Sequence, residues 1–242
     1  MTQPTLIVDP GRPSTPRLAV RFMGSEVDMA SKRLLRKIGL LKLYELVPQE
    51  WAMPDSQFAK SAIAYAEQLC PDYMVRHCFR SYCFGAILAS RNKLKLDREV
   101  FFVAAMLHDL GLSPAHVDDP GSFEWVGAKL AYQFSKDSNQ SEAFATTVHN
   151  AIALHTCVGI AGKQAPELAL LHYGTGMDLF GMRLDEIPRI TLEEILVRYP
   201  RDQFKQQFCT CLSYQAHIKP DSHIAAAIGI GITDQVLEQL AH

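Results

Sequence analysis

The dipeptide His108-Asp109 joins two metal-ligating side chains where the apolar run 103–107 ends. An aspartate is rarely buried unless it has a partner, and a metal ion offsets the cost of taking its charge out of water. Residues 110–112 are Leu-Gly-Leu and interrupt the helical pattern. The dipeptide therefore predicts a metal site at the end of a buried helix.

Two further residues complete a candidate ligand set with this dipeptide. His77 lies in a stretch with helical spacing, and Asp178 follows a glycine-rich break at 174–176. Two imidazoles and two carboxylates suit Zn²⁺, Mn²⁺ or Fe²⁺ better than Ca²⁺, although the ligand types do not choose among these three metals. A metal in such a site keeps open positions and lowers the pKa of bound water towards neutrality. The residue types alone leave a second interpretation, in which all four are unrelated polar groups at helix ends.

The wider sequence around these residues resembles the HD-domain superfamily of metal-dependent hydrolases. The resemblance covers residues 54–210 and rests on five segments, at 76–85, 104–111, 122–124, 151–156 and 178–181. It is nearest to the cyanamide-hydratase-like branch. That branch has a histidine–x–x–arginine–(serine or valine)–tyrosine segment before the HD pair, and it is matched by His77, Arg80, Ser81 and Tyr82.

The resemblance implies a helical bundle around one metal ion, most often Zn²⁺, bound by His77, His108, Asp109 and Asp178. In the enzymes that give the branch its name, metal-bound water adds to the nitrile carbon of cyanamide and gives urea. Dinuclear branches carry two more histidines between the HD pair and the last aspartate. Glu124 stands where the first of these is expected, so the resemblance favours one metal ion over two.

Glu124 and His155 are the candidate catalytic residues. Glu124 is predicted to be a general base or to orient a ligand histidine. The alternative for Glu124 is a carboxylate that merely favours the N-terminus of its helix. His155 ends an apolar helical segment. For His155 the resemblance favours a position facing the metal, where it would bind substrate or shuttle a proton, over a hydrogen-bonded position in the core.

Three residues are candidate substrate-binding groups. Arg80 would hold a substrate anion or would pair with an acid such as Asp109 or Glu124. Thr156 directly follows the candidate catalytic histidine. His116 is predicted to line the entrance to the site, with a solvated loop position as its alternative.

Helical spacing dominates the chain from Ser25 onward, and the predicted class is all-α with one compact core. Residues 1–25, with four prolines, are predicted to form an extended arm, and residues 26–242 a single helical domain. Ser25 is predicted to open the first helix through a capping box with Asp28. Further helices are predicted from Asp55, at 71–92, 97–110, 122–136, 141–156 and 166–173, and after the break from Thr191, at 202–217 and from 221 or 222.

Composition and charge limit the classes of partner. The 242 residues are 48% hydrophobic and carry a net charge of −2, which argues against a dedicated nucleic-acid-binding protein. No apolar run reaches the roughly 18 residues of a membrane span, and the N-terminus has no apolar signal segment. We therefore expect a cytoplasmic protein with six reduced cysteines that acts on a small molecule. The N-terminal arm suggests a homodimer.

These features support three functional hypotheses. The first is a hydratase or hydrolase that directs metal-activated water at a small nitrile-like or amide-like substrate. The second is a phosphohydrolase acting on a nucleotide monophosphate or related phosphoester, with Arg80 neutralising the phosphate oxygens. The third is a non-catalytic protein in which the metal only holds helices together. A small, weakly polar pocket would favour the first hypothesis, and a wide pocket lined by two or more cations would favour the second.

Overall fold

The computed structural model describes residues 4–40 and 46–233, and within these ranges every regular element is helical. The α-helices in chain order are α1 (Thr15–Lys37), α2 (Gln57–Leu69), α3 (Asp72–Arg91), α4 (Arg98–Leu107), α5 (Phe123–Asp137), α6 (Glu142–Leu154), α7 (Pro166–Phe180), α8 (Arg189–Arg198), α9 (Phe204–Ile218) and α10 (His223–Ile228). Short 3-10 turns lie at Pro48–Trp51, Leu110–Leu112, Ala161–Lys163 and Leu184–Glu186. The predicted all-α class is confirmed.

Polar side chains cap the beginnings of five of these helices. Each accepts a hydrogen bond from a backbone N–H in the first turn, which satisfies a donor that the helix leaves unpaired. The caps are Ser56 for α2, Asp97 for α4, Ser122 for α5, Ser141 for α6 and Ser222 for α10. The starts of α3, α4, α5 and α6 lie within one residue of their predicted positions.

The buried centre of the molecule is built around α3 and α4. Every side chain from residue 100 to residue 107 in α4 is buried, and so are most side chains of α3. Helix α7 packs along α3, while α5 and α6 pack against each other and α6 also contacts α4. The middle of α3 and the end of α4 are therefore held rigidly next to each other in the core.

Gly174 allows α7 to approach α3 closely. A Cβ atom at this position would overlap the backbone carbonyl oxygen of Ser81 in α3. The sequence predicted that the glycines at 174 and 176 interrupt the helix, and this prediction is wrong. Helix α7 continues through them to Phe180 and ends at Gly181, which has a φ of 62°. Asp178 therefore lies in the last turn of a helix that is packed against α3, and not in a loop after a break.

The predicted extended arm over residues 1–25 is wrong in its second half. Helix α1 begins at Thr15, so residues 25–28 lie inside it and do not open it. Pro16 stands in the first turn of α1, where its missing N–H costs nothing and its fixed φ favours a helix start. Residues 4–14 are not helical. They contact α6, because the backbone N–H of Ile7 donates to Asn150 Oδ1 and Asn150 Nδ2 donates to the carbonyl oxygen of Thr5.

The cysteines lie mostly inside the described fold. Five of the six are buried. Among residues 4–40 and 46–233, none of the helices combines the length and the apolar character needed to cross a bilayer.

Candidate metal centre

Three predicted ligands meet where α3 passes the end of α4. His77 projects from the middle of α3, and His108 and Asp109 directly follow α4. One ligand atom from each lies within 4.8 Å of the other two, and all three side chains are buried. In the described part of the chain, no other group of histidine, cysteine and acidic residues meets this criterion.

Hydrogen bonds to the two histidine rings leave the Nε2 atoms available as ligands. His77 Nδ1 lies 2.7 Å from Asp178 Oδ2, and His108 Nδ1 lies 2.8 Å from the Ala105 carbonyl oxygen. Because both acceptors require a proton on Nδ1, each neutral ring presents an unprotonated Nε2. An oxygen partner of this kind is the usual device that fixes a metal-ligating histidine.

The same three residues carry buried polar atoms that find no hydrogen-bond partner within residues 4–40 and 46–233. These atoms are Nε2 of His77, Nε2 of His108 and Oδ2 of Asp109. An unsatisfied buried polar atom costs about 1–3 kcal/mol, so three of them in one place indicate a binding site. A divalent cation would satisfy all three, and the mixed nitrogen and oxygen donors suit a transition metal. The residues present therefore fit a metal ion.

The electrostatics of the cluster favour the metal-binding forms of Asp109 and His77, whereas Asp109 raises the pKa of His108 against the effect of burial. Burial alone would raise the pKa of Asp109, but the His108 and His77 rings beside it hold that pKa at about 2. Asp109 Oδ2 lies 3.3 Å from His108 Nε2 and 3.7 Å from His77 Nε2. Burial lowers the pKa of His77 below its ordinary value. Near neutral pH the cluster therefore contains an ionised carboxylate and a neutral His77.

Asp178 lies behind His77 and outside the three-atom cluster. Its Oδ1 accepts hydrogen bonds from Arg80 Nε and Arg201 Nη2, both at 2.8 Å, and its Oδ2 is shared by His77 Nδ1 and Arg80 Nη2. Burial would raise the pKa of Asp178, but the two guanidinium groups hold it well below its ordinary value. In this structure Asp178 orients His77, and its direct metal-ligand role stays a prediction.

Arg80 is not placed to bind substrate. It is fully buried, is paired with Asp178, and donates through Nη1 to the backbone carbonyls of Tyr199 and Pro200 at 3.1 Å. It does not line the cavity described below. Arg80 pairs with an acid, as one alternative predicted, but the acid is Asp178 and neither Asp109 nor Glu124. The substrate-binding interpretation of Arg80 is therefore corrected, because α7 supplies a carboxylate that occupies its guanidinium.

A small cavity of about 60 Å³ lies against the cluster. Its volume is enough for a few water molecules or a small organic molecule. Apolar side chains form most of its wall, namely Phe22, Phe123, Val158, Leu179, Phe180, Met182, Phe208, Leu212, Ile224, Ala227 and Ile232. No lysine or arginine is among the described residues that line it. The cavity therefore suits a small uncharged ligand.

His155, a candidate catalytic residue, and Thr156, a candidate substrate-binding residue, both line this cavity. The His155 ring lies 5.0 Å from the His108 ring between centroids, and its Nδ1 donates to the Ile152 carbonyl at 2.7 Å. Burial, reinforced by the nearby His108, lowers the pKa of His155 to about 3. His155 is therefore a neutral imidazole beside the metal-ligand cluster. Its catalytic role stays a prediction.

Glu124 reaches the cavity only through Thr156. The Thr156 hydroxyl donates to Glu124 Oε1 at 2.7 Å, while Glu124 Oε2 is buried without a partner. Glu124 itself does not line the cavity. Burial raises its pKa from 4.5 to about 7, although the Thr156 hydrogen bond opposes this rise. This buried carboxyl is therefore placed to act on Thr156, and its general-base role stays a prediction.

His116 lies away from the cavity. It is in the loop after the Leu110–Leu112 turn, and its Nδ1 lies 2.8 Å from Asp119 Oδ2. It is partly exposed and does not line the cavity. The prediction that it lines the entrance is corrected in favour of the loop alternative, because an acid three residues later holds its ring.

The cavity wall includes two histidines that were not predicted from the sequence to belong to the site. Arg201, which pairs with Asp178, was not predicted either. His172 from α7 and His223 from α10 both line the cavity and are both buried. His172 lies six residues before Asp178, and this short separation is the one local indication that both belong to the same helix, α7. The sequence gives no local signal for His223 or for Arg201, because both come close to the site only through packing.

Comparison with known proteins places most of this site inside one family pattern. The family model described as the HD domain matches residues 74–197, which is just over half of the chain. The match includes the three clustered ligands and Asp178, but it excludes Phe22, His223 and the rest of α10. Among curated proteins, no significant match is found.

Proposed function

Because this chain belongs to the HD-domain family, whose members are mostly metal-dependent hydrolases, we propose that it is a metal-dependent enzyme that adds water to a small uncharged molecule. Nitrile-like and amide-like compounds are the substrate class that we favour. One observation carries the proposal. The unpartnered atoms of His77, His108 and Asp109 lie beside a small apolar cavity whose described lining has no lysine or arginine.

His77, His108 and Asp109 would hold one divalent ion, for which Zn²⁺ is our first choice and Mn²⁺ or Fe²⁺ are alternatives. When bound, such an ion supplies a water molecule with a pKa near neutrality, and hence a hydroxide nucleophile. The chain contributes the orientation of this site. Asp178 fixes the proton on His77 Nδ1, and the Ala105 carbonyl fixes the proton on His108 Nδ1.

Two residues on the cavity wall would handle hydrogen bonds to the reactants. The Nδ1 proton of His155 is committed to Ile152, so its Nε2 is left to accept a hydrogen bond near His108. The Thr156 hydroxyl donates to Glu124, so its oxygen lone pairs are left to accept from a substrate N–H or O–H. Glu124, with a pKa of about 7, can hold or release a proton at this position near neutral pH.

The charge distribution disfavours the phosphohydrolase alternative. Phosphoryl transfer relies on cations that neutralise the phosphate oxygens. Arg80 and Arg201 are both paired with Asp178 behind His77. Among the described lining residues, a phosphoester in this cavity would therefore find no lysine or arginine to balance its charge.

The experiment is a substrate panel on the purified full chain loaded separately with Zn²⁺, Mn²⁺ or Fe²⁺. The panel contains cyanamide, acetonitrile, methyl isocyanide, acetamide and adenosine monophosphate. We expect turnover of at least one uncharged compound and loss of it in His108→Ala, while His116→Ala keeps it as the matched control. Phosphate release without turnover of any uncharged compound would favour the phosphohydrolase. Full metal occupancy without any turnover would favour a non-catalytic protein.

A further inference from the structure

Part of the cavity wall comes from segments outside the family match. Residues 74–197 supply the ligand cluster, but α1 contributes Phe22, and α10 with the residues after it contributes His223, Ile224, Ala227 and Ile232. The outer segments therefore shape the space that a ligand occupies. His223 is the only titratable side chain that they place in the described lining of the cavity.

His223 carries a buried ring nitrogen that is left unsatisfied within the described part of the chain. The residue is 6% exposed, it lines the cavity, and its Nδ1 has no hydrogen-bond partner among the described residues. An unsatisfied buried nitrogen is rare in folded proteins, and its presence on a cavity wall indicates a place for a ligand atom. Burial and the nearby Arg21 lower the pKa of His223 to about 4. Near neutral pH it therefore offers one donor and one acceptor, without charge.

His172 is a further buried histidine on the wall of the same cavity. Its Nδ1 donates to the carbonyl oxygen of His155 at 2.7 Å, which leaves its Nε2 as a hydrogen-bond acceptor. Burial lowers the pKa of His172 below its ordinary value. Neither His172 nor His223 belongs to the three-residue cluster of candidate metal ligands. The two rings are therefore polar groups of the cavity wall that lie outside the candidate metal site.

We propose that His172 and His223 form a substrate-recognition subsite that selects uncharged molecules carrying an N–H or O–H group. The proposal rests on the function proposed above and narrows its substrate class. The committed Nδ1 proton of His172 makes Nε2 an acceptor, which requires a donor on the ligand. An amide NH₂ or the amino group of cyanamide supplies one, whereas the methyl group of acetonitrile does not. A site built to hydrogen-bond a ligand discriminates strongly against the analogue without that group.

The test compares urea with acetone, which have similar shapes and differ by NH₂ groups in place of methyl groups. Binding is measured by calorimetry on the Zn²⁺-loaded full chain, at concentrations that do not denature it. We expect urea to bind about tenfold more tightly than acetone, since one unmade buried hydrogen bond has a cost of that order. We also expect the ring-nitrogen NMR signals of His223 to shift with urea and not with acetone.

Variants separate recognition from a merely structural role. His223→Leu should remove the preference for urea, and His223→Gln, which keeps a donor and an acceptor, should restore part of it. His172→Gln is an independent variant in case His223→Leu does not fold, and His116→Leu is the matched control outside the cavity. Equal affinities for the two probes, no saturable urea binding, or an unchanged preference in a folded His223→Leu would overturn the proposal. Because binding is measured without turnover, these results are distinguishable from a failure of the proposed catalytic function.

Discussion

Glu124 should make the stability of this protein depend on pH in a way that one substitution removes. Its carboxyl is buried, accepts the Thr156 hydrogen bond on Oε1, and has a pKa raised from 4.5 to about 7. Below pH 4.5 the group is protonated in both folded and unfolded chains and contributes no pH dependence. Between these values the unfolded chain loses the proton while the folded chain keeps it. Folding is therefore disfavoured progressively as pH rises to about 7, and the full cost persists above it.

The size of the effect follows from the two pKa values. Each pH unit between 4.5 and about 7 costs 1.36 kcal/mol, so the total is about 3 kcal/mol. Glu124→Gln cannot ionise, and its side-chain carbonyl can still accept the Thr156 hydrogen bond. Relative to the wild type, the variant should gain about 2.5 kcal/mol between pH 5 and pH 8. For a chain of this length that corresponds to about 5–10 °C in melting temperature.

The assay is urea denaturation of both proteins at pH 5, 6, 7 and 8, with the variant minus wild-type difference plotted against pH. Groups that titrate identically in the two proteins cancel in this difference. A carbon-13 NMR titration of the Glu124 carboxyl gives its pKa directly. Thr156→Val should raise the pKa of Glu124 further, because the variant lacks the hydrogen bond that stabilises the ionised carboxylate in the wild type. Parallel pH profiles, or a carboxyl that titrates near 4.5, would refute the reasoning.

Three other substitutions test the packing and the ligands. His108→Ala should abolish stoichiometric metal binding in elemental analysis while His116→Ala keeps it, and full occupancy in the His108 variant would contradict its ligand role. Asp178→Asn should lower the free energy of unfolding by about 3–5 kcal/mol in chemical denaturation, because Arg80 is left buried with an uncompensated charge. A loss of stability below about 1 kcal/mol would contradict the Arg80–Asp178 pairing. Gly174→Ala should lower the free energy of unfolding by about 1–3 kcal/mol, because the added Cβ would overlap a backbone carbonyl of α3. An unchanged melting temperature would show that α7 can shift away from α3 at no cost.

The part of the site that could be predicted is the part encoded by local pattern. The run 103–107 ends in His108 and Asp109, and a metal ion accounts for two such polar residues at the end of a buried helix. His77 lies on a helix whose bounds agree with the prediction to within a residue. These three side chains are the ones that the structure brings together. Short-range spacing was sufficient because both elements are long, regular and buried.

The rest of the site depends on packing between distant segments. Asp178 was expected after a chain break, but Gly174 serves close helix packing, and the continued helix carries the carboxylate to the back of His77. Arg201 reaches that carboxylate from 23 residues downstream. His223 reaches the cavity from α10, outside the matched family region. No local period in the sequence encodes such contacts.

The N-terminal segment shows how one residue type supports two structures. Four prolines before residue 25 indicated an extended arm. Pro16 instead occupies the first turn of α1, the one helical position where proline is favoured. A proline at this position is followed by a stable helix only when the apolar residues after it pack against other parts of the protein. Leu18 of α1 does so, since it is buried in the core. That partner surface is not visible in the sequence.

The central claim is that His77, His108 and Asp109 bind a divalent metal ion. Its most direct test is anomalous X-ray diffraction from crystals of the metal-loaded protein. We predict an anomalous peak about 2.0–2.2 Å from Nε2 of His77, Nε2 of His108 and a carboxylate oxygen of Asp109. A fully occupied ion bound elsewhere, or no ion at these three atoms in protein soaked with Zn²⁺, Mn²⁺ and Fe²⁺ in turn, would contradict the claim.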